Sequence, residues 1–116
     1  MSTRTIKLGN DADLIIDEPN SLSSSERPLL VTSAIIQVLS GSTSLSPSTQ
    51  SGYLPITIGS TVYQIYYQLR VKRVMNALSA YSEAINHIQQ NPHLYDHRLA
   101  HKAVEVLREC CREGLR

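Results

Sequence analysis

Apolar and polar positions alternate most clearly in the middle of the chain. Tyr63, Ile65, Tyr67, Leu69 and Val71 fall on one face of an extended segment, with Gln64, Tyr66, Gln68, Arg70 and Lys72 on the other. That period of two is the mark of a strand with one buried side. Residues 53–58 are also strand-like, and Gly59-Ser60 between the two arms suits a type II′ turn, so the spacing predicts a hairpin. A competing period runs through the same region. Tyr67, Val71, Val74, Leu78, Tyr81, Ile85 and Ile88 are spaced by fours and threes, which is a heptad seam. Tyrosine and β-branched content favours a strand over residues 61–71, and the alanine-rich segment after it favours a helix over residues 73–90.

An earlier hairpin is expected at the start, from residues 3–8, a Gly9-Asn10-Asp11 turn and residues 14–16, closed by Asp17-Glu18-Pro19-Asn20. Ser25 reads as the cap of a helix over residues 26–39 with Gly41 as its stop. Leu29, Leu30, Val31, Ala34, Ile35, Ile36, Val38 and Leu39 make that helix apolar around most of its circumference, so it is expected to be buried. Two short strands are the alternative there. Residues 42–52, built of Ser, Thr, Pro and Gly around Leu45 and Gln50, read as an exposed flexible loop, with Ser46-Pro47 an ordinary loop dipeptide.

Asn91-Pro92 suits a helix start and Gly114 a helix stop, giving a last helix over residues 92–113 with Tyr95, Leu99, Ala103, Val106 and Cys110 as its apolar stripe. Two helices this close in sequence should pack as an antiparallel pair. Ala77, Tyr81, Ala84 and Pro92 resemble the second helix of a tetratricopeptide repeat. Neither a preceding partner helix nor a second copy accompanies them, and the pattern is read as an ordinary helical hairpin. A fainter echo links Ile6-Lys7-Leu8-Gly9 with Ile56-Thr57-Ile58-Gly59, and would make each half of the chain a β-β-α unit.

Composition narrows the functional classes. The 116 residues suit one domain, and a net charge of +1 supplies no field that demands nucleic acid or an anionic membrane. Residues 1–60 carry three basic and five acidic side chains and residues 61–116 carry eight and five, a mild polarity. All six aromatics are tyrosines, which suit half-buried positions and interfaces, so aliphatic residues must fill the core. Adjacent Cys110 and Cys111 exclude a disulfide framework. With neither a leader nor a membrane-spanning run in the sequence, an intracellular, cytoplasmic location is expected and no membrane partner.

Few residues carry legible chemistry. His97 and His101, one helical turn apart, have the spacing of a metal pair, yet they stand on the side of the helix opposite its apolar stripe and no further ligands can be named. No metal and no cofactor are therefore expected. Cys110 reads as core filling with Cys111 an incidental neighbour. Asp11, Asp13, Asp17 and Glu18 read as a solvated acidic turn. No phosphate loop, nucleophile elbow or legible carboxylate pair is present, and a catalytic role is not expected; an enzyme with a dispersed site ranks third.

The pattern predicts an α+β fold: two β-hairpins forming a small antiparallel sheet, one buried helix and a C-terminal helical hairpin. Its expected function is a non-catalytic protein-interaction module, an adaptor, regulator or assembly factor that pairs with itself and with another protein. Tyr67, Val71, Val74, Leu78, Tyr81, Ile85 and Ile88 are the interface candidates. The alternative is a small nucleic-acid-binding regulatory protein using Tyr66, Arg70, Lys72, Arg73, Arg108 and Arg112.

Overall fold

The computed structural model describes residues 2–40, 44–91 and 97–114, the side chains of residues 97–100 and 114 excepted. Strands β1 (Ser2–Leu8) and β2 (Ala12–Glu18) are followed by helix α1 (Arg27–Leu39). A two-residue strand β3 (Ser44–Leu45) leads into β4 (Ser48–Ile58) and β5 (Thr61–Val71). A second short strand, β6 (Met75–Asn76), then precedes helices α2 (Ala77–Gln90) and α3 (His97–Gly114). The main sheet runs β1-β2-β5-β4 with every neighbour antiparallel, and β3 pairs with β6. Two hairpins, a buried helix and a C-terminal helical pair are thus all present, as the hydrophobic pattern required.

Alternation decides which face is buried. Ile6, Leu8, Leu14, Ile16, Ile56, Ile65 and Leu69 point to one side of the sheet and are almost fully buried. Helix α1 covers that side over β4 and β2, α2 covers it over β1, and α3 lies across both helices. Leu30, Val31, Ala34, Ile35 and Leu39 of α1 and Ala80, Ala84 and Ile88 of α2 close the core from above. The opposite side of the sheet carries no helix among the described residues.

The two halves repeat one plan. Gly9 and Gly59 both take positive φ, +74° and +63°, at the turn between the strands of each hairpin. Residues with a Cβ avoid that conformation. Helices α1 and α2 begin at Arg27 and Ala77, and Ala34-Ile35 and Ala84-Ile85 occupy matching buried positions. The β-β-α echo suggested by Ile6-Lys7-Leu8-Gly9 and Ile56-Thr57-Ile58-Gly59 is therefore a repeat of the fold, joined at its centre by β2 and β5.

Several boundaries differ from expectation. Residues 48–52, expected in a flexible loop, are the first five residues of β4 and pair with Tyr67–Val71 of β5. Their Ser/Thr-rich composition misled because this stretch of strand runs exposed and needs no apolar face; main-chain bonding to β5 holds it. The pairing continues past it, with Ser44 opposite Asn76 and Leu45 opposite Met75, so the hairpin arm reaches from β4 back to β3 with an extra residue bulged at residues 72–74. That bulge is why α2 starts at Ala77, where Asn76 Oδ1 accepts from Leu78 N at 2.7 Å, and not near residue 73.

Helix α1 is entered through Ser23, not Ser25: Ser23 N and Oγ donate to Glu26 Oε1 at 3.1 and 2.8 Å, and Glu26 occupies the cap position. These hydrogen bonds hold the Glu26 carboxyl below its ordinary range. Asn91 ends α2, donating Nδ2 to His87 O at 2.8 Å, where it was expected to begin the next helix. Helix α3 starts at His97, and Pro92, Tyr95 and the stop at Gly41 lie outside the described residues. Among its described side chains the buried stripe is Ala103, Val104 and Leu107, flanked by Cys110 and Cys111, the side chain of Leu99 lying outside the described residues. Val106, placed on the stripe by sequence, is 40% exposed because α3 packs on two helices at once and turns a neighbouring face inward.

Candidate interaction surface

The uncovered side of the sheet can be read row by row from the strand register. Lys7 stands opposite Asp13, Asp13 opposite Arg70, and Arg70 opposite Thr49. The next row is Thr5, Ile15, Gln68 and Ser51, and beyond it Tyr66 stands opposite Tyr53. The two tyrosine rings meet edge to face with centroids 5.3 Å apart. Tyr53 is 68% exposed and Val62, two positions from Gln64 on the same face, 59%. A wet tyrosine pair with apolar neighbours is what a docking face offers, because each ring combines contact area with a hydroxyl.

Charge on this face is largely balanced. Lys72 Nζ sits 3.5 Å from Asp13 Oδ2, and Thr3 Oγ1 donates to Asp17 at 3.2 Å. Arg108 and Arg112 belong to α3, on the helical side of the molecule, where Arg112 pairs with Glu109 at 3.2 Å. The structure therefore places Tyr66, Arg70 and Lys72 along one side of the sheet but leaves Arg108 and Arg112 on the other. Arg73 lines a separate polar cleft with Asp11, Asn76, Ser79 and Glu83.

The seven interface candidates have mostly been used inside the molecule. Val71, Tyr81, Ile85 and Ile88 are buried in the core, Tyr67 is half-buried against it and lies over Gly52, and Leu78 is half-buried. Val74 is the one exposed member, at 68%. The four-and-three spacing reports the face by which α2 packs on its own sheet. It leaves no apolar seam for a second copy.

Other groups are placed as follows. Glu18, read as part of a solvated turn, is 2% exposed on the inner face. Arg4 donates to both of its oxygens, through Nε to Oε1 and through Nη2 to Oε2 at 3.3 Å, and Arg27 Nε lies 3.9 Å from Oε2. His87 is half-buried beside the first turn with Lys7, Asn10, Glu83 and Asn86, and burial, then the charge of Arg4, lowers its pKa. His101 is exposed and pairs with Glu105 at 3.2 Å, while the side chain of His97 lies outside the described residues. No group of three or more metal-ligating side chains occurs among the described residues. Burial raises the Cys110 thiol and the Tyr81 phenol. No described helix is long and apolar enough to cross a membrane.

One surface escaped the sequence reading. Strand β4 is an edge of the sheet, and its residues 48–51 are exposed. Its signal was an absence: residues 28–69 contain no Asp, Glu, Lys, Arg or His. Proteins usually guard an edge strand with charge. On the helical side, a mostly apolar groove of about 300 Å³ lies between Leu29 and Ile36 of α1, the end of β4 and Val106 of α3. In comparisons with family models, curated protein sequences and solved structures, the chain matches none of them.

Proposed function

We propose that this protein is a non-catalytic interaction module that recognises a protein partner with the open face of its sheet and pairs with itself. The observation that carries the reading is the bare outer face centred on Tyr53 and Tyr66, next to an edge strand with no charged guard. Nucleic-acid binding is the second reading, favoured by Tyr66, Tyr53 and Arg70 lying on one face. Against it stand Asp13 and Asp17 on that same face and the separation of Arg108 and Arg112 from it.

Light scattering coupled to size exclusion, with and without a mixed-sequence RNA or DNA oligonucleotide at low and moderate salt, separates the two. Indifference to the oligonucleotide supports the interaction module. A complex that weakens steeply with salt, as release of counterions from phosphates requires, replaces it with the second reading.

A further inference from the structure

Pro55 O accepts a hydrogen bond from Gln37 Nε2 at 3.2 Å, on the side of β4 away from β5. In an antiparallel edge strand, residues alternate between bonding inward to the neighbour and pointing both main-chain groups outward. Proline, with no N–H to give the ladder, belongs in the outward set. Thr49, Ser51 and Tyr53 share the parity of Pro55, so their N–H and C=O groups point out along the open edge. Beyond Pro55 the edge is obstructed by Gln37 and by a missing donor. At the other end stands Pro47, also of odd number. The usable window thus runs between two prolines, and Ser51 is its midpoint.

From this arrangement we infer that β4 docks against β4 of a second copy, antiparallel and about a two-fold axis through Ser51. The inference rests on the self-pairing part of the proposed function and names its surface. In this register Ser51 meets its own counterpart, Thr49 meets Tyr53, and each proline falls opposite the other, where neither has an N–H to leave unpaired. The pairs between the two prolines, Thr49 with Tyr53 and Ser51 with its counterpart, are then hydrogen-bonded pairs, and the two four-stranded sheets become one. Other two-fold registers fit worse. Moving the axis to Gly52 or Tyr53 sets Pro55, with its carbonyl already engaged by Gln37, against Thr49 or Ser51.

Charge agrees with the choice of occupant. A strand without a charged residue meets no repulsion from an identical strand, and like charges opposite one another are what normally prevent such pairing. The other edge, β1, carries Lys7 and Arg4, the latter bonded to Glu18. A window of this length buries less than the roughly 800 Å² per partner of a standard stable interface, so the pairing is expected as a concentration-dependent monomer–dimer equilibrium.

Sedimentation equilibrium of the full chain across micromolar concentrations tests this, comparing the native protein with Ser51→Lys and Ser51→Pro. The Ser51 side chain is exposed and its N–H points outward, so neither change touches the core or the β5 ladder. Circular dichroism melts verify that each variant folds. The native chain is expected to shift from monomer to dimer mass, and each variant to require at least tenfold more protein. A Ser51→Cys variant, oxidised, is expected to give a dimer linked through position 51, because Cα atoms in a hydrogen-bonded pair lie about 5.5 Å apart, within disulfide reach. A native dimer that both variants leave intact overturns the β4 edge while self-pairing stands. A monomer at every concentration overturns both, and leaves partner binding by the sheet face to be judged by the light-scattering experiment.

Discussion

Replacing Glu18 by glutamine tests whether the buried ion pair on the inner sheet face holds the first hairpin to the fold. The Glu18 side chain is 3% exposed and that of Arg4 13%, so neither is well solvated. Arg27, with a side chain 39% exposed, can turn to water. Breaking a buried pair by removing one partner costs roughly 3–5 kcal/mol, because the remaining charge keeps its desolvation penalty. Glutamine preserves shape and still accepts one bond from Arg4, which places Glu18→Gln near the lower end, about 3 kcal/mol. For a domain of this size about 4 °C of melting temperature accompanies each kcal/mol, so a fall of roughly 12 °C is expected. Arg4→Met strands the carboxylate and should cost a similar amount. The double variant removes both charges and should cost at least about 1 kcal/mol less than the sum of the singles. Urea unfolding of the four proteins at neutral pH measures all of this. A Glu18→Gln cost below about 1 kcal/mol, or additive singles, would refute the reasoning and reduce the pair to a surface contact of little worth.

Three further outcomes follow from single groups. Burial first and the Arg4 charge second hold the His87 imidazole below its ordinary 6.5, so the unfolded chain takes up that proton more readily than the folded one. Stability present above about 6.5 should therefore be lost as pH falls toward the lower folded-state value, and His87→Gln should flatten the fall in urea midpoint between neutral and mildly acidic pH. Asn76→Ala removes the side-chain acceptor at the start of α2 and should cost about 1 kcal/mol in the same assay, with Asn76→Ser recovering most of it. Burial, then the nearby Glu113 carboxylate, pushes the Cys110 thiol above its ordinary value, so alkylation followed by mass spectrometry at neutral pH should find it slower than glutathione. Faster reaction would mark it as an activated thiol.

The limits of β5 were legible because apolar inner residues alternate with a wetter outer set from Tyr63 to Val71, and two independent cues, Gly59 and Tyr-rich content, agreed. Helix α1 was legible because an almost wholly apolar stretch has to be buried whatever its register. The first residues of β4 were not, since a polar segment declares itself as strand only through the main-chain bonds of its neighbour. The apolar seam from Tyr67 to Ile88 was legible as a seam, but not what it packs against. Heptad spacing from Tyr67 to Ile88 states that one face is apolar, and it cannot state whether that face meets another molecule or its own sheet. Glu18 was hidden by its company: three acidic neighbours in a turn suggested solvent, whereas its even-numbered place on β2 put it on the inner face beside Arg4. The uncharged run from residue 28 to residue 69 was visible throughout, but became meaningful only once it was known to contain an edge strand.

The recurrence of one β-β-α plan about the β2–β5 seam has a consequence for dissection. Each half carries a strand that the other half covers, so cutting between α1 and β3 would not release a smaller stable unit. It would uncover β2 in one fragment and β5 in the other, each long, apolar on one face and lacking its neighbour. The fragments should be sticky on their own and should reassemble when mixed, the lost covalent link replaced by concentration. In that sense the chain behaves as two similar pieces tethered at high local concentration, with the tether, more than any single contact, keeping the central seam closed.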